Sequence, residues 1–533
     1  MTGKPQRGWP LARGVAVATL ASALMAAAPA RAQTATPAPV PHFMIRAFQV
    51  KGNHLIAPRE VEDAVYPFMG PDKTPADVEH ARAALQTVFE KKGFATASVS
   101  IPEQSVDSGI IQLEVQVQTI GRVAVVGGGK GAAAWVRRRA PSLTPGTAPN
   151  FQAVQQDIVT LNSSPDRKVT PDVKAGVAPG TVDVTLKIQE TIPLHGSLEF
   201  NNDDSPETTP YRLLGTLRYD DLWGRGDSIS VSAQTAPERP NDATVFSGNY
   251  LAHLGKVQGL FYYVHSDSDV AVVGGTTVVG KGDLAGFRLI IPISQSDGFY
   301  QSITAGFDYK NFGENVRLGA DTSTAPVTYY PVNVSWRGDW TGKTAKADLS
   351  ISTTFGTRGL GSSAEAFDNK RFDAKPDFFL VKLEGSRTQD LSSGFQLWGH
   401  VTSQYSQDPL ISNEEFSLGG LTTVRGYFES EVLGDYGLAT QAEIRTPNLG
   451  ALAPSWKVNA FRLHLFADGG YAGIQDPLAG QTRDNWLGSA GAGAALTIMD
   501  HINGAVDVGT PLVDGPDKKT GTVFGRFRIW GDF

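Results

Sequence analysis

Residues 422–428 read Thr-Thr-Val-Arg-Gly-Tyr-Phe, and about forty positions later 466–470 read Phe-Ala-Asp-Gly-Gly. A guanidinium and a carboxylate can form a bidentate ion pair, shorter and more directional than an ordinary surface bridge. Alternation over 461–470 puts Phe461, Leu463, Leu465 and Ala467 on one strand face and Arg462, His464, Phe466 and Asp468 on the other. If the apolar face meets lipid, Asp468 points into a lumen. Arg425 stands in the longest connection of the second half of the chain, where a solvated loop arginine is the plain alternative. The phase of Asp468 favours a loop that tucks inward, with Gly426 letting the backbone turn at its tip.

Other patterns that could carry chemistry fall away. Gly226-Asp227-Ser228 has the form of a GDS-type hydrolase start, but it sits in an expected turn with no hydrolase strand before it. The run 127–131 lacks the Lys-Ser/Thr ending of a phosphate loop. The 9 histidines show no metal spacing of the His-Glu-x-x-His kind. No catalytic residue, cofactor or metal is expected.

The elements that would position Arg425 and Asp468 are strands. From 192 to 533 helical periodicity is missing, and sixteen strand-like segments begin near 196, 211, 228, 244, 257, 283, 299, 327, 344, 377, 395, 436, 457, 487, 502 and 522. Their connections alternate between short (255–256, 295–298, 391–394, 500–501) and long (267–281, 312–326, 355–376, 406–435, 472–485). Short turns on one side, long loops on the other and an even strand number describe a transmembrane β-barrel. Tyr262, Tyr263, Tyr329, Tyr330, Trp336 and Trp340 cluster where interfacial girdles would lie. A soluble β-sandwich or propeller is the alternative. The aromatic end, Phe533, favours the barrel and would be the handle for a barrel assembly machinery.

Before the barrel, 43–120 and 121–191 read alike. In the first, a strand at 44–51, helices at 58–68 and from 74, and strands at 95–101 and 110–118 give a β-α-α-β-β order. Thr74-Pro75-Ala76-Asp77 has the form of a capped helix start, and Val78, Ala81, Leu85, Val88 and Phe89 share one face. The second repeats the plan: a strand at 122–126, helices around 135–139 and 151–161, and strands at 169–178 and 181–189. Tandem units of this kind suggest small stacked modules.

Composition agrees. The chain has 533 residues, 58 Gly, 32 Pro, no Cys and 19% charged residues, a balance suited to strands and turns. Residues 1–32 have the form of a secretory signal, with Lys4, Arg7 and Arg13 ahead of an apolar run and Ala30-Arg31-Ala32 at its end. The run is too short to span a bilayer comfortably. Removing the signal takes out Lys4, Arg7, Arg13 and Arg31 and moves the net charge from −7 to −11. Nucleic acid is not an expected partner of so acidic a chain. Residues 33–42 form a Pro-rich linker.

Taken together, these motifs resemble the two-partner secretion transporters of the ShlB/FhaC/HecB type. The resemblance rests on Val424-Arg425-Gly426-Tyr427, on Phe466-Ala467-Asp468-Gly469-Gly470, on Asp220-Asp221-Leu222-Trp223-Gly224-Arg225-Gly226-Asp227 as a first barrel hairpin, and on Pro179-Gly180-Thr181-Val182-Asp183 in the second module. It implies two periplasmic POTRA modules and a sixteen-stranded barrel in the outer membrane of a Gram-negative bacterium. Arg425 would meet Asp468 inside the pore, with Phe466 and Gly470 completing the strand motif. The function implied is capture and export of an unfolded secreted partner by a monomeric pore in the lipid bilayer. An assembly factor for other barrels and a passive porin are the alternatives. Members carry an N-terminal plug helix ahead of the first module. The ten residues 33–42 are too few for one, so closure is expected to fall to the 406–435 loop.

Overall fold

The computed structural model describes residues 41–533 apart from 130, 163–165, 269, 274–275, 297, 314, 319–320 and 453–456. The expected signal and nearly all of the linker lie outside the described residues. The chain divides into two compact units, one of residues 1–118 with 148–152 and one holding the remainder.

In the first unit Ile110–Val117 pairs in parallel with Ala47–Lys51 and antiparallel with Ala97–Ser100. Pro75–Lys91 lies over this sheet through Val78, Ala81, Leu85 and Phe89, all buried. Its start is fixed chemically: the Thr74 amide and hydroxyl both donate to Asp77 Oδ2 at 2.8 Å, and Pro75 fills a position whose N–H would have no partner. The strand expected at 44–51 is broken at Arg46. Its first part, Phe43–Ile45, pairs with Gly70–Lys73, a segment without β-forming residues that only this tertiary pairing makes extended.

The second module has the same topology: Thr181–Glu190 pairs in parallel with Thr119–Gly127 and antiparallel with Arg167–Ala175. Ala132–Arg139 and Phe151–Leu161 supply the helices. Pairing begins at Thr119, so the module's first strand starts ahead of the 120/121 boundary expected from sequence.

The barrel strands are β1 (Leu194–Asn201), β2 (Arg212–Leu222), β3 (Asp227–Thr235), β4 (Ala243–Leu254), β5 (Val257–Ser268), β6 (Gly282–Ser296), β7 (Phe299–Phe312) and β8, which is broken into Val327–Tyr329 and Val332–Thr341. They continue as β9 (Ala345–Phe355), β10 (Phe379–Asp390), β11 (Gln396–Ser406), β12 (Tyr436–Arg445), β13 (Val458–Gly473), β14 (Asp484–Ile498), β15 (Ile502–Pro511) and β16 (Phe524–Asp532). Both pieces of β8 pair with β7, and Pro331 at the break cannot donate a ladder bond. Every strand is antiparallel to its neighbours, and β16 pairs with β1 to close the sheet. At the closure the Phe533 amide donates to Gly196 O at 3.0 Å and the Gly196 amide to Phe533 O at 3.2 Å. The ring lies over Gly196, where any side chain would collide with it.

Outward positions are apolar and bare: Leu198, Leu217, Phe246, Phe261, Phe307, Leu463 and Leu465 are all exposed. On a soluble protein so continuous a belt would aggregate; in a bilayer it is the favoured surface. No described helix is long and apolar enough to cross a membrane, which leaves the crossing to the strands. Inward positions are polar, and many are buried because something fills the lumen.

Candidate functional site

The filling element is the connection from β11 to β12. It leaves Ser406, passes a short turn at Ser412–Glu414, and forms a hairpin in which Phe416–Leu418 pairs with Val432–Gly434. Beyond the hairpin, residues 419–431 make the tip. Gly419 and Gly420 turn the chain at φ +110° and +99°, and Gly426 at +92°. A side chain at Gly420 would occupy the position of the Glu429 carboxylate.

Arg425 sits at the end of this tip and is 4% exposed. Its Nε and one terminal nitrogen donate to the two oxygens of Asp468, each at 2.8 Å, and its backbone amide donates to Asp468 Oδ2 at 3.1 Å. The other terminal nitrogen donates to Glu443 Oε1 at 2.5 Å and lies 3.6 Å from Asp507 Oδ2. The guanidinium also stacks on the Phe466 ring at 3.9 Å. Glu443, Asp468 and Asp507 stand on β12, β13 and β15, so one loop cation gathers three strands.

Space for the guanidinium comes from the facing strand. Phe466 pairs with Gly491 and His464 with Gly493 on β14. A side chain at Gly491 would meet the Phe466 ring at 2.5 Å, and one at Gly493 would collide with Asp507 and His464. Two further side chains hold the carboxylates in place: Arg445 donates to Glu443 Oε2 at 2.7 Å, and His464 Nε2 lies 2.7 Å from Asp507 Oδ1.

The other motif residues pack the tip. Val424 and Tyr427 are fully buried with Phe416, Leu418, Val432, Ala439, Ala472 and Leu487. The Tyr427 hydroxyl lies 2.7 Å from the Val513 carbonyl and accepts the Gly488 amide at 3.2 Å. Gly470 lets Leu418 and Val424 approach β13; a Cβ there would stand 3.1 Å from Val424 Cγ2.

Sequence reasoning missed two sets of residues. Along the tip, Arg526 of β16 lies 3.1 Å from Glu429 and donates to the Tyr427 carbonyl at 2.9 Å and to Asp203 at 2.9 Å. At the base, Arg371 donates to both oxygens of Asp435 at 2.6 Å and to Glu415 at 2.5 Å, while Lys310 meets Glu414 at 2.5 Å. Burial pushes the carboxyls of Glu415 and Glu429 up to about 7, more strongly than Arg371 and Arg526 pull them down. Glu443, Asp507 and Arg526 could have been found as charges at inward positions of their strands. Arg371 carries no local signal.

With this geometry in hand, the comparisons with known proteins are decisive. The family described as haemolysin secretion/activation protein ShlB/FhaC/HecB matches residues 180–497, more than half of the chain. The chain belongs to that family. The ShlB-type POTRA domain matches residues 43–116. Among curated relatives, the outer membrane transporter CdiB of Dickeya dadantii is 21% identical over 78% of this chain and 74% of its own length. The hemolysin transporter protein ShlB of Serratia marcescens is 25% identical over 79% of this chain and 73% of its own. Of solved structures, CdiB from Escherichia coli superposes with a TM-score of 0.70 at 20% identity, covering 94% of this chain and 92% of that one. BamA from Haemophilus ducreyi lacking POTRA domains 1–3 gives 0.55 at 11% identity, a likeness of fold alone. The protein is therefore an outer-membrane two-partner secretion transporter, a strand-built pore that carries a partner protein.

Proposed function

We propose that the protein captures its partner unfolded on the periplasmic modules and passes it through the barrel to the cell surface or medium, with the 406–435 loop as the element that closes the lumen. The observation that carries this reading is the seating of Arg425 on Asp468 and Glu443. A loop tied by one cation to inward strand carboxylates blocks the path of any polypeptide, and it can be released without unzipping the barrel.

The modules at 43–118 and 119–191 offer short sheets of three strands, each with an outer strand to which an extended chain can add, a mode that demands little of its sequence. No nucleotide-binding pattern is present in the sequence. The drive is folding of the partner outside, which removes it from the exchange. The barrel acts as a monomer, and Phe533 is its handle for the assembly machinery. A transporter rather than a catalyst is what the family supports. Arg425→Ala should keep the barrel in the outer membrane, shown by heat-modifiable migration, while secretion of the partner falls. Unchanged secretion with the loop shown to be outside the lumen would overturn the reading.

A further inference from the structure

A second convergence of charges lies away from the lumen loop, where the second module runs into the first barrel hairpin. The joint is held by two arginines that share one ring: Arg167 stacks on Trp135 at 3.9 Å and Arg139 at 4.9 Å. Arg167 donates to Glu190 at 2.7 Å and to Asp221 at 2.8 Å, and Arg139 donates to the Arg225 carbonyl at 2.9 Å. These contacts account for Asp221 and leave Asp220 pointing the other way.

There, three side chains from three segments meet: Asp166 ahead of the strand Arg167–Ala175, His195 on β1 and Asp220 on β2. His195 Nε2 lies 3.0 Å from Asp166 Oδ1 and 3.5 Å from Asp220 Oδ2. All three donor atoms fall within 4.8 Å of one another. The Asp166 and Asp220 side chains are 8% and 14% exposed, and that of His195 is 31% exposed. The ring nitrogen is itself shielded from water and makes no hydrogen bond to either oxygen despite their nearness.

That last fact decides between two chemistries. A protonated Nε2 would aim its N–H at one carboxylate. Here Nε2 stands within 3.5 Å of an oxygen from each carboxylate and is hydrogen-bonded to neither, an arrangement that suits a lone pair sharing a cation with them. Donors bound to one Zn²⁺ at about 2.0–2.2 Å in tetrahedral geometry stand roughly 3.3–3.6 Å apart. The His195–Asp220 spacing of 3.5 Å lies in that range and the His195–Asp166 spacing of 3.0 Å just under it.

We infer that Asp166, His195 and Asp220 form a binding site for a divalent transition cation such as Zn²⁺, with solvent completing the coordination. Outer partners of the kind that orient metal ligands are present. The Thr191 hydroxyl lies 3.3 Å from Asp166 Oδ1, the Asp220 amide donates to Pro193 O at 2.8 Å, and Arg218 Nε donates to Asp220 Oδ2 at 3.0 Å. The Arg218 charge lowers affinity below that of a structural zinc site, which suits an exchangeable ion. A bound cation ties the second module to β1 and β2 and stiffens the joint between arm and pore.

The test is calorimetric titration of chelator-treated, tag-free full-length protein in detergent with Zn²⁺ alone. One saturable ion per chain is expected. His195→Ala and Asp220→Asn should each weaken binding at least tenfold, whereas His265→Ala, on β5 beside Asp283, should not change it. Heat-modifiable migration establishes that each variant is folded, and His195→Gln replaces His195→Ala if that variant is not. Co²⁺ gives a second readout, since the visible spectrum of the bound ion should vanish with His195. The inference is overturned if the wild type shows no saturable binding, or if the His195 and Asp220 variants bind as the wild type does.

Discussion

Replacing Arg425 by alanine removes three side-chain hydrogen bonds, two to Asp468 and one to Glu443, together with the stack on Phe466. It leaves behind an Asp468 side chain with no solvent exposure. Breaking a buried pair from one side costs about 3–5 kcal/mol, because the remaining charge has lost its compensation. At about 1.4 kcal/mol per tenfold, the ratio of seated to unseated loop should fall by roughly a hundred- to a few-thousandfold. The barrel ladder does not pass through Arg425, so migration and membrane insertion should be unchanged. Asp468→Asn keeps an acceptor and should cost about 1–3 kcal/mol. The double variant Arg425→Ala, Asp468→Ala should cost clearly less than the sum of the two single changes, since neither charge is then stranded. Single-channel conductance in planar bilayers reads the seated fraction. Conductance should rise most in Arg425→Ala and fall back in the double variant. Additive effects, or a conductance in Arg425→Ala equal to the wild type, would refute the claim that this pair holds the loop.

Four further outcomes follow from the same structure. Deleting 414–430 should raise conductance sharply, by removing the filling of a barrel wide enough to conduct, whereas trimming the linker at 33–42 should barely change it. The carboxyls of Glu415 and Glu429 are raised to about 7 from an ordinary 4.5, so the seated loop binds protons that the released loop gives up. Seating is thus favoured fully below about pH 4.5 and weakens as pH rises through 7; conductance should climb over that window in the wild type and stay flat in the Glu415→Gln, Glu429→Gln variant. Deleting 43–118 should abolish secretion while heat-modifiable migration is kept, and normal secretion would exclude the first module as receptor. Gly493→Ala should push the Asp507 and His464 side chains away from their places beside the guanidinium, since the atoms nearest a Cβ there belong to those two side chains, and raise conductance without loss of the barrel, measurable in the same bilayers.

Strand phase made much of this molecule legible. Alternation fixes which residues of 458–473 face the lumen, because a slip of one residue would turn Leu463 and Leu465 inward and Asp468 into lipid. The Thr74–Asp77 cap and the apolar face of Pro75–Lys91 were equally open to reading, since both are local. What stayed hidden depends on closure. The helix Ala364–Lys370 and Arg371 lie in a connection with no pattern of its own, and Arg371 has meaning only once Asp435 and Glu415 are brought to it. Arg526 reaches Glu429 only because β16 returns to β1. Asp166, His195 and Asp220 are separated by stretches that show no ligand spacing, and only the joint assembles them.

The distribution of charge around the loop bears on why it can close a pore and still let go. Buried ion pairs add little net stability, because desolvation offsets attraction, but they are costly to break from one side and so select one seat over many. The loop uses three such seats: Arg425 at the tip, Arg526 along the side and Arg371 at the base. At the tip the cation belongs to the loop and the carboxylates to the strands; along the side and at the base the carboxylates belong to the loop. An incoming chain that brings its own charges and amides can therefore replace each seat in turn, without meeting the whole cost at once. An apolar plug of equal area would offer no such path, since its release exposes its surface in one step.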